Sequence, residues 1–390
     1  VYNIGILTFH RPINYGAYLQ SFSLCEALNS RDDVKCEIID YIAPMERKKI
    51  YINLLREFKH HGVIGFFNEL AKIETFKKSL SFLSLSKKRF CTNNLKELYE
   101  WIDATYDVLI IGSDAVFNWN QNGYPTAFIP NHNFKNCKIM TYAASVHGLN
   151  YLNEEKERLI CCGRFFKSAK FIGVRDACTE KFVKMCASDV APIHCCDPTL
   201  FINIEKIRDL GNDYKHRIRR RYKIDLNKKY IIIMIPDSTL IKTVYERYKN
   251  EYTIITLFKP SRYADCYLYD LTPFEWANVI GHSELVITSY FHGSLLSVVQ
   301  GVPAVAIDYS NYTTDFYEGK LKDLFCTRLK LEELFFEKSD ADDGQFDKII
   351  QICDCALDGK YTSSIENSVK KERLNFANFI NEIDNFKIDY

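Results

Sequence analysis

The sequence predicts an α/β protein made of two Rossmann-like domains, each a mostly parallel sheet flanked by helices, facing each other across a cleft. Three observations carry that expectation. Short apolar runs of strand length alternate with segments of helical periodicity along most of the chain, the pattern of parallel sheets. At 390 residues the chain exceeds what one ordinary core serves and suits two domains. Midway, a dense basic run from Lys215 to Lys223 interrupts the alternation, which then restarts. The expected boundaries are 1–212 for the N-terminal domain and 213–390 for the C-terminal one, the latter ending in a helix.

In the first half, Asn3 to Phe9 reads as a strand, and His10-Arg11-Pro12-Ile13-Asn14-Tyr15-Gly16 as the loop that follows it. From Ala17 a helical pattern places Leu19, Phe22, Leu24 and Leu28 on one side. Three polar side chains, those of His10, Arg11 and Asn14, crowd this loop; Arg11 can neutralise an anion, and Gly16 lets a ligand approach the backbone. The plainer alternative is a βα turn that Asn14 and Gly16 merely shape. Cys36 to Tyr41 is the second strand. Residues 45 to 100 read as lysine-rich and helical, with Phe66, Phe67, Leu70 and Phe76 as a packing stripe. Asp107 to Ile111 is a strand ending in Gly112-Ser113-Asp114, where a carboxylate can meet sugar hydroxyls or simply cap the next turn. Asn118 and Trp119 stand beside it to bond or stack. Lys138 to Ala144 leads to Ser145, His147 and Gly148. Phe171 to Val174 delivers Arg175-Asp176 ahead of a helix, and an arginine there is an anion anchor or the partner of a nearby carboxylate. Ile193 to Cys196, closed by Asp197, is the last strand of this half.

The second half restarts with strands at Tyr230 to Ile235 and Thr253 to Leu257, with a helix around Tyr245 between them. Thr272-Pro273 opens another helix. Next comes Leu285 to Tyr309, LVITSYFHGSLLSVVQGVPAVAIDY, a strand, turn, helix and strand in one stretch. Its turn carries Ser289, Tyr290, His292 and Gly293. Gly301 and Pro303 stop the helix before Val305-Ala306-Ile307. Ligands of open parallel sheets bind beyond the carboxyl ends of strands, where helix N-termini offer N–H groups to anions. His292 and Gly293 stand at such a place; the alternative is a histidine that only packs in the turn. A further helix is expected from Ser364 to Ile383.

The totals exclude several classes. With 51 Lys+Arg against 50 Asp+Glu, no global field draws the chain to nucleic acid. Hydrophobic content of 47% and aromatic content of 14% exclude disorder. The fourteen cysteines contain no CxxC, only two adjacent pairs and a CxC at Cys353 and Cys355. Scattered thiols with no secretory leader at the start of the sequence read as a reduced, cytoplasmic protein. No metal is expected, because no cysteine or histidine pairs have ligand spacing. The longest apolar run, around Tyr230 to Ile235, falls short of the ~20 residues of a transmembrane helix.

TFHRPINYGAYLQSFSL near the start, then DVLIIGSDAVFN, KIMTYAASVHG, FIGVRDACTEKF, CCDPTLFI and VITSYFHGSLLSVVQGVPAVAI, in that order, resemble the polysaccharide pyruvyl transferase family. The resemblance runs from about residue 3 to 310, and its opening and FHG blocks are the specific ones. It implies a two-domain fold like that of the GT-B glycosyltransferases. It implies transfer of a pyruvyl group from phosphoenolpyruvate to two hydroxyls of a sugar, giving a ketal on a cell-surface polysaccharide or its lipid-linked precursor. Phosphoenolpyruvate is then the donor substrate, and no cofactor is expected. The implied catalytic pair is His292 as acid/base and Asp114 on the sugar hydroxyl. Arg175, Arg11, Ser289 and Gly293 are expected on the donor, and Asn14, Gly16, Ser113 and Ser145 on the acceptor. One departure stands out: family members with this activity tend to carry Arg two positions before the FHG histidine, where this chain has Tyr290. A nucleotide-sugar glycosyltransferase and a non-catalytic saccharide-binding relative are the competing readings. A peripheral contact with the inner face of the cell membrane is expected through the basic run 215–223, since such acceptors are usually lipid-linked.

Overall fold

Runs of Ile, Val and Leu without polar interruption are stable as strands where both faces are covered, as in a parallel sheet between helix layers. The computed structural model, which describes residues 1–310, 319–342 and 346–388, places the central runs in just that setting. The first sheet contains β1 (Tyr2–Leu7), β2 (Val34–Tyr41), β3 (Leu85–Phe90), β4 (Val108–Ile111), β5 (Lys138–Ala144), β6 (Phe171–Val174) and β7 (Ile193–His194). Its order is β3-β2-β1-β4-β5-β6-β7, parallel throughout. The second contains β8 (Tyr230–Met234), β9 (Thr253–Leu257), β10 (Cys266–Leu268), β11 (Leu285–Thr288), β12 (Ala304–Asp308) and β13 (Phe335–Glu337). Its order is β10-β9-β8-β11-β12-β13, again parallel. Both are Rossmann-like sheets, as the alternation predicted.

The strand orders decide where a ligand can sit. In the first sheet β1 and β4 are neighbours, with Leu7 level with Ile111, but the chain leaves them toward opposite edges. In the second, β8 and β11 are neighbours, with Met234 level with Thr288, and the same divergence follows. At such a switch point the two outgoing connections part and leave a crevice. The loops at these points are 8–14 and 112–118 in one sheet, and 235–237 and 289–290 in the other.

The chain divides into two units. Unit 1 comprises Val1–Phe66, Lys77–Ile202 and the tail from Arg373; unit 2 comprises Phe67–Phe76 and Asn203–Glu372. The division therefore falls at Ile202 rather than at 212, and the tail belongs with the first unit rather than the second. The helix expected from Ser364 to Ile383 is two helices in place of one: Thr362–Arg373, which belongs to unit 2 as far as Glu372, and Asn375–Ile388, in unit 1. In unit 1 Phe379 is fully buried with its ring 4.4 Å from that of Tyr142, and Phe376 stacks on Phe201 at 4.0 Å.

Other differences have local causes. The stretch 45–100 is not helical throughout: after the helix Pro44–Ser79, LSKKRF forms the edge strand β3, whose charged residues face water. Within the helix stripe, Phe76 is buried but Phe67 is exposed. The basic run forms the helix Tyr214–Tyr222 of unit 2. Arg217 makes a forked pair with Glu275, and Arg221 Nε lies 2.8 Å from Asp270. Trp119, expected beside a ligand, is buried with its ring 6.0 Å from that of Phe182.

Candidate active site

In unit 1 the loop after β1 is anchored by ions. Asp40, at the end of β2, accepts from Arg11 Nε and Nη2, and His10 Nε2 lies 3.4 Å from the same carboxylate. His10 is fully buried, its Nδ1 donating to the Thr8 carbonyl at 3.2 Å. Burial pushes the Asp40 carboxyl up, but the hydrogen bonds from His10 and Arg11, with the charge of Arg11, outweigh it and bring the pKa down to about 2. Asn14 is exposed and caps the helix Tyr15–Asn29, accepting from Ala17 N–H at 3.1 Å. Gly16 lies buried in the first turn of that helix.

Across the switch point, the chain leaves β4 through Gly112, whose φ of 121° and contact with β5 exclude a side chain: a Cβ there would lie 2.2 Å from the Tyr142 carbonyl oxygen. Ser113 is buried, donates from Oγ to Gln20, and offers its carbonyl to Thr8 Oγ1 at 3.1 Å. Asp114 follows at φ 76°, a left-handed conformation that Asp tolerates better than most residues. The turn is held because Ser145 N–H and Val116 N–H both donate to the Asp114 carbonyl, at 2.9 and 2.7 Å.

Arg175 fixes the Asp114 side chain. Its Nη1 lies 3.3 Å from Asp114 Oδ1 and 3.2 Å from Asp197 Oδ2, in a position only 4% exposed. Burial alone would lower the guanidinium pKa, but Asp114, Asp197 and Asp176 overcome it and raise it. Asp176 caps the helix Ala177–Cys186 through Thr179 N–H (2.8 Å) and accepts from Ser145 Oγ (2.6 Å). The structure thus joins Asp114, Arg175 and Ser145, three of the residues picked from sequence, in one network with Asp176 and Asp197. Ser113 and Ser145 spend their hydroxyls holding loops.

In unit 2 the strand β11 ends at Thr288, whose Oγ1 accepts from Tyr290 N–H at 2.9 Å. Ser289 returns to β8, its N–H donating to the Met234 carbonyl at 3.0 Å and its Oγ at 3.3 Å. The helix Phe291–Val299 begins at once, and Tyr290, at the cap position, gives it no side-chain cap. His292 is the second residue of this helix, largely buried, with its ring edge-to-face on Phe291 at 5.2 Å. Gly293 lets the turn sit down on the sheet, since a Cβ there would lie 2.8 Å from the Met234 methyl. Tyr290 is 41% exposed and its ring lies 4.9 Å from that of Phe258.

Several functional candidates escaped the sequence reading. Lys320, whose Nζ lies 5.7 Å from the centre of the Phe291 ring, brings positive charge to the His292 turn. Asp40 and Asp197 hold the two arginines. A carboxylate directly after the apolar pair Ile38-Ile39, at the end of a strand, was the signal available for Asp40; nothing local marked Lys320. Among the described residues no group of three or more His, Cys, Asp or Glu is arranged to hold a metal ion.

Two parallel αβ units, each with polar loops at its switch point, define a protein of the GT-B-like fold. Solved structures share it. The UDP-GlcNAc 2-epimerase from Neisseria meningitidis, determined bound to UDP-GlcNAc, aligns with a TM-score of 0.53 over 97% of this chain and 100% of its own, at 8% identity. A second UDP-N-acetylglucosamine 2-epimerase aligns with a TM-score of 0.50 over 95% and 90%, at 9% identity. At such identities the likeness is one of fold. None of the curated proteins matches the sequence. The polysaccharide pyruvyl transferase family model matches residues 14–311, and the chain belongs to that family.

Proposed function

We propose that this chain transfers a pyruvyl group from phosphoenolpyruvate to two hydroxyls of one sugar in a cell-surface polysaccharide or its lipid-linked precursor. The observation that carries the reading is His292 in the first turn of the helix Phe291–Val299, which opens directly after β11 at the switch point of unit 2. The donor is a small dianion or trianion, and a helix N-terminus favours such a group through its N–H donors and dipole. Lys320 adds the charge that Tyr290 does not supply in place of the family arginine.

The chemistry assigns the remaining roles. Protonation of the vinyl CH₂ by His292 turns it into a methyl group and leaves an oxocarbenium-like C2, which a sugar oxygen attacks. Attack by a second hydroxyl at the same carbon expels inorganic phosphate and closes the ketal. Asp114 accepts a hydroxyl proton from the sugar, and Arg175, already held between carboxylates, aims Asp114. Arg11 and Asn14 lie at the same switch point as Asp114 and are assigned to the substrate's polar groups. The reaction as written needs no cofactor.

A nucleotide sugar is the second reading, favoured by the exposed ring of Tyr290 against Phe258, a surface on which a base can stack. Thermal melts with phosphoenolpyruvate and with UDP-GlcNAc separate the two. A midpoint raised by phosphoenolpyruvate, lost in Lys320→Ala, with phosphate release falling roughly 10²–10⁴-fold in His292→Ala, is the expected result. A shift with UDP-GlcNAc alone, or full phosphate release from His292→Ala, overturns it.

A further inference from the structure

The helix Pro44–Ser79 carries an apolar face that the described structure leaves in solvent. Tyr51, Ile52, Leu55, Phe58, Val63 and Ile64 are each between 51% and 76% exposed. Tyr51, Leu55 and Phe58 recur at i, i+4 and i+7, one line along a helix, with Ile52 beside them. Val63 and Ile64 follow directly after a kink at Gly62, whose φ is 62°. Exposed Lys48, Arg56 and Lys59 stand one turn from Tyr51, Ile52 and Leu55 respectively, so cations rim the apolar line.

A face of this kind fits one surface chemistry. We propose that residues 45–64 form the site at which the protein lies on an anionic lipid bilayer, the apolar side chains entering the acyl boundary and the lysines and arginine meeting headgroup phosphates. Single exposed apolar residues are ordinary, but a contiguous row with a basic rim is not. A second copy of the chain is the poorer occupant. The segment holds Arg47, Lys48, Lys49, Arg56 and Lys59 against only Glu46 and Glu57, so an isologous contact would set two net positive faces against each other. The contact is peripheral in kind, since no described helix is long and apolar enough to cross a membrane. The basic helix Tyr214–Tyr222 is the weaker candidate, because Arg217 and Arg221 are engaged by Glu275 and Asp270. The inference is independent of the pyruvyl transfer reading.

Flotation of the full chain with phosphatidylcholine vesicles, with and without phosphatidylglycerol, at low and high salt, tests it. The chain is expected to float with phosphatidylglycerol vesicles and to detach as salt rises. Leu55→Glu/Phe58→Glu abolishes flotation, and Lys48→Gln/Lys59→Gln lowers partitioning about fivefold per charge removed. Both pairs are exposed, so melting temperatures stay at that of the parent. Arg219→Gln/Arg220→Gln, in the other basic helix, floats like the parent. Failure of the parent to float, or loss in Arg219→Gln/Arg220→Gln but not in the helix variants, overturns the proposal. So does a concentration-dependent dimer in sedimentation velocity that Leu55→Glu/Phe58→Glu dissolves, which would make this face a contact between copies.

Discussion

Asp40 ties the chemistry of the first switch point to acid stability. Its carboxyl titrates at about 2 in the folded chain against an ordinary 3.8. A carboxyl depressed on folding contributes stability that is complete above the ordinary value and is lost as the pH falls through the folded one. The window is therefore about pH 4 to 2, and the contribution at stake is about 2 kcal/mol. Urea unfolding across that window should show the parent losing about that much more stability than Asp40→Asn, which starts lower at neutral pH. Parallel curves for the two proteins would refute the assignment. At this scale the sequence marked Arg11, Asn14, Asp114, Arg175 and His292, because polar residues just beyond apolar strands stand out locally. It did not mark their holders. Asp40 meets Arg11 through the pairing of β1 with β2, Asp197 meets Arg175 through β6 with β7, and Lys320 reaches Phe291 from a distant segment.

The turn after β11 shows how tightly an element can be specified. Gly293 is read from sequence as a donor contact, yet its neighbours give it a packing reason as well: the Met234 methyl at 2.8 Å and Thr288 Oγ1 at 3.2 Å from a Cβ. Gly293→Ala should destabilise unit 2 by about 1–3 kcal/mol through overpacking, seen as a lower urea midpoint. Restored stability in Gly293→Ala/Met234→Ala would attribute the loss to that contact, and no loss in the single variant would remove the packing role. The helix start at Thr272 was legible because its capping box is local; Thr272 Oγ1 accepts from Glu275 N–H at 3.1 Å, as the Thr-Pro pair foretold. The strands missed from sequence, β3, β10 and β13, are all edge strands. An edge is short and half solvated, so its residues carry neither a long apolar run nor a clean alternation.

For the whole molecule the tail is the instructive case. Phe379 is fully buried in unit 1, packed on Tyr142 and Phe171, with ring centres 4.4 and 5.4 Å away. Arg31 adds an ion pair to Asp384. Phe379→Ala should cost unit 1 about 3–5 kcal/mol, while Leu374→Ala, 70% exposed on the same tail, should stay within about 0.5 kcal/mol. Equal small effects in a calorimetric melt would mean that the tail contributes little to that core. By itself the sequence determined the α/β class, the central strands and the polar residues at their ends, because runs, caps and turns are encoded by neighbours along the chain. It also carried enough of the family's blocks to be recognised. Only the tertiary structure decided the strand orders that make β1/β4 and β8/β11 the switch points, the ion-pair partners behind Arg11 and Arg175, and the return of the tail to the first unit. Those features depend on contacts between segments far apart in sequence, where many pairings satisfy the same local pattern and only packing of the whole selects one.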